Sequence, residues 1–203
     1  MGLLRAERST MLSAREGPLS TPWGTLSWSQ VRELAVPGAV IGLLGGMMAG
    51  GLAASVGLSL PVVLLAGVGL AIPLALAGAG YELLLATGKA PLGTLAPMAL
   101  WWVLMFPPIR VAHAGLLDLA AGDSVAVPHG WAAFIAYQVL VAVPFAIGFW
   151  WLHENFAPRW WFHIREHNPV AEHWIRDKLA YAAAAEAEKE RRGERRKRGR
   201  AQQ

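Results

Sequence analysis

The sequence predicts an all-α, polytopic membrane protein: four transmembrane helices followed by a cytoplasmic amphipathic C-terminal helix. Three observations carry that expectation. The chain of 203 residues is 55% hydrophobic and 16% charged, and its charge is unevenly placed. Between residues 35 and 152 only Glu82, Lys89, Arg110, Asp118 and Asp123 are charged, too few for the surface that a soluble domain of this size shows to water. Apolar stretches of the length that crosses a bilayer core, about 20 residues for about 30 Å, recur four times. Lys and Arg gather at the two ends of the chain and are missing from 114–130, which by the positive-inside rule puts both termini in the cytoplasm of a plasma-membrane protein. The chain then divides into a cytoplasmic arm (1–33), a transmembrane domain (34–152) and a cytoplasmic Trp- and His-rich helix with a polybasic tail (153–203).

The arm, with four Arg and three Glu in residues 1–34, has no unbroken apolar core with a cleavage site and does not read as a secretory signal. The first span is expected at 34–55 and the second at 60–82, where Pro61 suits a helix start. The third, 94–116, contains Pro107 and Pro108, which lack the N–H a helix needs and are expected to kink or end it. The fourth, 131–152, has Trp131 at one edge and Trp150 and Trp151 at the other, the placing of interfacial anchors.

The first span carries the most regular feature of the chain, a small residue at every fourth position: Gly38, Gly42, Gly46, Gly50 and Ala54. Val40, Leu44, Met48, Leu52 and Val56 lie two positions away, about 200° around a helix of 3.6 residues per turn, so one face is flat and the other bulky. The second span has a similar row, Gly67, Ala71, Ala75 and Ala79. Small faces let helix backbones approach in lipid, where packing rather than water exclusion brings helices together. The two rows are therefore expected to meet in a tight hairpin; the competing use of such a row is a glycine-zipper pore.

Ionisable residues inside a span are functional candidates. Arg110 and His113, just after the proline pair, are candidates for a transport path or polar site, although an arginine there can also reach the outer interface. In "HENFAPRWWFHIREHNPVAEHW" (153–174), His163 and His167 are four apart and share a face if helical; with His173 they are the candidate ligands for a single metal ion. The six histidines include no adjacent pair, unlike the histidine boxes of membrane di-iron desaturases and hydroxylases. Chemistry is otherwise sparse. The absence of cysteine excludes disulfides, thiolate nucleophiles and cysteine metal sites. No Ser–His–Asp arrangement and no phosphate-binding glycine loop can be placed, and no cofactor is expected.

Trp160, Trp161 and Phe162 are expected in the headgroup layer. Asn168-Pro169 reads as a cap and first residue of a helix with Val170, Trp174, Ile175 and Leu179 as its apolar strip. Residues 191–200, including Arg195 and Arg196, hold seven basic residues against one Glu. Near anionic headgroups each basic residue contributes about 1 kcal/mol, so Trp160, Trp161, Trp174, Arg195 and Arg196 are the candidate contacts to a membrane or a partner. Nucleic acid is not the expected target of a basic run without stacking aromatics. The sequence thus favours an integral subunit or scaffold of a larger membrane complex, bound to lipid and to a membrane protein or a second copy and without catalytic activity of its own, ahead of a membrane enzyme that would use the cytoplasmic histidines. The alternative is a small oligomeric channel or transporter, a holin-like pore included.

Overall fold

The computed structural model describes residues 18–122 and 130–201, with side chains to 192. A short antiparallel hairpin, β1 (Leu19–Thr21) and β2 (Gly24–Leu26), precedes five helices: α1 (Trp28–Ser55), α2 (Leu60–Ala86), α3 (Leu95–Ala121), α4 (Trp131–Ile164) and α5 (Pro169–Ala201). The first four are long and apolar enough to cross a membrane. They run alternately up and down. One end of the bundle, here the near end, holds the start of α1, the α2–α3 loop, the end of α4 and the start of α5. The far end holds the α1–α2 turn, the end of α3 and the start of α4.

Local chemistry sets the boundaries. Ser27 caps α1 through a reciprocal pair, Ser27 N–H to Gln30 Oε1 (2.8 Å) and Gln30 N–H to Ser27 Oγ (3.4 Å); this box satisfies two backbone donors that the first turn leaves open. The helix therefore starts six residues before the expected span. Gly57, at φ +79°, turns the chain into α2, whose second position is Pro61. Gly122, at φ +80°, closes α3 in the left-handed conformation that glycine adopts without a Cβ penalty. Asn168 accepts from Ala171 N–H (3.4 Å) at the start of α5.

Two helices run on past points that the sequence marks. Pro107 and Pro108 do not end the third helix, which continues to Ala121. Each proline removes one bond to a carbonyl four residues back, at Val103 and Leu104, and packing against neighbouring helices lets a bundle carry that loss: Phe106 and Pro107 are buried. The fourth helix does not stop at 152 but runs 34 residues to Ile164. At about 1.5 Å per residue this is about 51 Å, well beyond a bilayer core. Residues 153–164 thus belong to α4, and Trp161 is fully buried against the chain's own helices.

The α1–α2 seam is backbone against backbone. A Cβ built on Gly38 collides with the carbonyl of Gly78, one on Gly42 with the carbonyl of Leu74, and one on Gly46 with the backbone of Ala71; on Gly50 it would lie 3.0 Å from Gly67 Cα. On α2 the contact line is therefore Gly67, Ala71, Leu74–Ala75 and Gly78. It follows the helix period and drifts off the four-residue row before Ala79, which is half-buried. Ala54 is exposed. The opposite face of α1 points outward, with Leu44, Met48, Leu52 and Val56 exposed. On α2, Leu60, Leu64, Val68, Ile72 and Leu76 form an outward row, all more than half exposed.

The α3–α4 seam is built from rings. Trp102 meets Phe145 at 4.7 Å and Phe149 at 4.8 Å, and Phe106 meets Phe145 at 5.1 Å between centroids. Such tilted and edge-on pairs add about 0.5–1.5 kcal/mol each beyond the area they bury. Trp101 ties α3 to α2 by donating its indole N–H to the Ala77 carbonyl (3.0 Å).

Candidate functional site

Two polar clusters are buried among the apolar helices, one toward each end. At the near end α2 supplies Glu82, α4 supplies His153 and Glu154, and α5 supplies Lys178. His153 Nε2 donates to Glu82 Oε1 at 2.9 Å, and both side chains are essentially inaccessible, at 1% and 0% exposure. The other ring nitrogen, Nδ1, faces Glu154 Oε1 at 3.7 Å, and Glu154 Oε2 accepts from Lys178 Nζ at 2.7 Å. Tyr81, Phe149 and Trp161 surround the imidazole, with ring centroids 6.3, 6.1 and 5.5 Å away. Glu82 reaches this place because α1 offers no side chain there: its Cγ would be 3.1 Å from a Cβ on Gly38. Around the pair, Glu82 Oε2, His153 Nδ1, Glu154 Oε1, Trp102 Nε1 and Trp161 Nε1 are buried without a hydrogen-bond partner. Buried polar groups are nearly always satisfied, so orphans gathered in one place mark it as unusual.

At the far end Arg110 Nη1 donates to His113 Nδ1 (2.7 Å), and Arg110 Nε donates to Gln138 Oε1 (3.4 Å). Arginine can only donate, so His113 Nδ1 is the acceptor and its Nε2 carries the hydrogen, which goes to the Ala66 carbonyl at 3.0 Å. Structure thus joins Arg110 to His113 and adds Gln138, a buried amide on α4. Ala66 and Glu82 mark the two clusters on α2, 16 positions or about 24 Å apart. The rings of Trp102, Phe106, Phe145 and Phe149 pack on one another along the stretch of α3 and α4 between them.

The candidate metal ligands do not converge. His163 and His167 share no helical face because α4 ends at Ile164, between them. His167 pairs with Glu33 of α1 (3.1 Å), while His173 pairs with Asp177 (3.2 Å) and stacks on Trp23 at 4.6 Å. Among the described residues no group of three or more His, Cys, Asp or Glu is placed to hold a metal ion. The loop residues Asp123 and His129 lie outside the described residues.

The tryptophans assigned to docking are used inside the chain. Trp161 and Trp174 pack on each other at 4.6 Å and are 0% and 3% exposed. Trp160 donates its indole N–H to the Glu33 carbonyl at 2.7 Å. The apolar strip of α5 finds its cover in α4 and the hairpin: Val170, Ala171, Trp174 and Ile175 are buried, whereas Leu179 and Tyr181 are exposed. Gln30 of α1 donates to the His167 carbonyl (2.6 Å) and accepts at its own carbonyl from Asn168 (3.0 Å), closing the joint. Arg195 and Arg196 lie on the described backbone of α5, with side chains outside the described set.

Sequence reasoning missed the Glu82–His153 pair. A signal was there, because the up-and-down order puts the end of the second span and the end of the fourth at the same membrane level. Glu82 is the single acid within the second span and His153 sits at the end of the fourth. Comparison with protein-family models, with curated proteins and with solved structures finds no match for this chain in any of the three.

Proposed function

We propose that the chain is an integral membrane subunit or scaffold, without catalytic activity of its own, that works inside a larger membrane assembly. The observation that carries this reading is the closed interior. Trp102, Phe106, Phe145 and Phe149 interlock between the two polar clusters with centroids 4.7–5.1 Å apart, which leaves a single copy built for rigidity rather than passage. The small-residue rows serve the same end: they pack α1 on α2, as a glycine zipper within one chain. The outward aliphatic rows of α1 and α2 suit lipid, and the Lys and Arg distribution supports a topology with the near end and both termini in the cytoplasm of a plasma-membrane protein. Helix α5 is held by its first two turns and then leaves the bundle, ending in a basic run suited to anionic headgroups or an acidic surface of a membrane partner. Purification of the full chain from its native membrane in mild detergent tests the proposal. A stoichiometric membrane partner or a defined homo-oligomer is the expected result; a solitary monomer that alone supports function contradicts it.

One observation favours a second reading, a small channel or transporter. Arg110, His113 and Gln138 put an arginine and two polar partners inside candidate spans, where such groups commonly line a path. Ion flux into liposomes discriminates: flux that falls in Arg110→Ala supports transport, and absence of flux leaves the structural role.

A further inference from the structure

We propose that Glu154, His153 and Glu82 form a proton relay that carries a proton from water at the near end of the bundle to the buried carboxylate of Glu82. The proposal is independent of the subunit reading and rests on the order of the groups from surface to interior. Glu154 is about one-fifth exposed and its two oxygens face opposite ways: Oε2 outward to Lys178, Oε1 inward, buried and unpartnered, toward His153 Nδ1. The imidazole spans from there to Glu82 with its two nitrogens on opposite edges, the arrangement that lets a ring accept a proton on one side and release one on the other. Glu82 is the end of the line. Its Oε1 is bound to the ring and its Oε2 is buried without a partner.

A pair built only to staple α2 to α4 would satisfy both carboxylate oxygens, because burying an ion is costly unless its remaining lone pairs are bonded. Here one oxygen of each carboxylate and one ring nitrogen remain open along a single line. The groups that face this line are few. Helix α2 contributes Tyr81 beside Glu82, and α4 contributes His153 and Glu154. Helix α5 contributes Lys178. Among the described residues, Gly38 of α1 lies beside Glu82, and Glu33 of α1 pairs with His167; Trp102 of α3 packs on Phe149, which stacks on the imidazole, and does not titrate. Beside Glu154 lies Gly93 of the α2–α3 loop, where a Cβ would stand 3.8 Å from Oε2.

The step balances as a relay. With the ring neutral and its hydrogen on Nε2, a hydronium ion at the surface gives a proton to Glu154 and leaves as water, and the carboxyl O–H of Glu154 passes that proton to the lone pair of His153 Nδ1. The Nε2–H bond of the ring breaks as its proton goes to Glu82 Oε1. The ring ends as the Nδ1–H tautomer with no change of charge, and Glu82 ends as a neutral carboxylic acid. The 3.7 Å between Glu154 and Nδ1 exceeds a hydrogen bond, and rotation of the part-exposed Glu154 side chain closes it.

Infrared difference spectroscopy on the full chain in phospholipid nanodiscs, during an acid titration and after transfer to heavy water, tests the relay. The wild type is expected to gain one buried carboxylic-acid C=O band, absent in Glu82→Gln. In His153→Phe and in Glu154→Gln the band is expected to remain but to exchange its proton for deuterium at least tenfold more slowly. A merely structural pair would not produce that kinetic signature. Glu154→Gln changes only the part-exposed end, and it decides the matter even if substitution of Glu82 prevents folding. The proposal is overturned if the wild type shows no titrating buried acid, if Glu82→Gln keeps the band, or if exchange is equally fast in Glu154→Gln.

Discussion

The two seams of the bundle solve the same problem with opposite materials. Helices α1 and α2 meet through the absence of side chains: four glycines of α1 lie against backbone atoms of α2. Helices α3 and α4 meet through the largest side chains available, Trp102, Phe106, Phe145 and Phe149. In lipid neither is driven by release of water, so each must gain its stability from close contact. The glycine seam gains it by proximity and tolerates nothing added. The aromatic seam gains it by filled volume and tolerates nothing removed. The first should therefore fail on enlargement, the second on truncation.

The largest effect is expected from Gly46→Leu. A Cβ there overlaps the backbone of Ala71, and backbone cannot move aside as a flexible side chain can. The helices must part, and the expected outcome is loss of the folded, monodisperse protein in detergent. A variant that elutes and melts like the wild type would break the account of this seam. Next comes Trp102→Ala, which empties a fully buried site and should cost about 3–5 kcal/mol, read as a lower denaturation midpoint with folding retained. An effect under about 1 kcal/mol would mean that the rings do not hold α3 to α4.

Smaller changes sharpen the contrast at the joint with α5. Asn168 is fully buried, donates to the Gln30 carbonyl and caps the helix. Asn168→Ala should cost about 1–2 kcal/mol and speed proteolytic removal of α5. The smallest effect belongs to Lys178→Met. Its ion pair with Glu154 is partly exposed on both sides and is worth about 0–1 kcal/mol, with solvent and salt screening what remains. A large loss of stability there would show that α5 is held by charge rather than by Trp174 and Ile175.

The two seams also differed in how far the sequence exposed them. Glycines at four-residue spacing within an apolar stretch leave a mark, because helix propensity alone disfavours them; Gly38, Gly42, Gly46 and Gly50 stand out for that reason. The partner row was harder. Ala75 and Ala79 fit a simple four-residue step, while the contact line on α2 bends through Leu74 and Gly78, since a seam follows the twist of both helices. The aromatic seam left no mark. A phenylalanine facing lipid and one facing Trp102 look alike in an apolar run, and all-round hydrophobicity erases the one-sided pattern that reveals a soluble core.

The same blindness hid the polar joint. His153 stands near His163, His167 and His173 in the sequence, whereas a helix running on to Ile164 aims His153 at α2 and separates the others. Trp161 and Trp174 carried the composition of a membrane-interface motif, yet each is the other's partner. Which surface covers an aromatic residue is decided by tertiary contact, which periodicity within one segment does not contain.

The most direct test of the central claim, that backbone contact along the glycine row closes the first helix pair, compares one substitution at two glycines of α1. Gly46 faces α2, whereas a Cβ on Gly51 meets nothing within 4 Å. Thermal unfolding of Gly46→Leu and Gly51→Leu in the same detergent should give a folded protein with an undiminished midpoint for Gly51→Leu and no cooperative transition for Gly46→Leu. Equal behaviour of the two variants would contradict the claim.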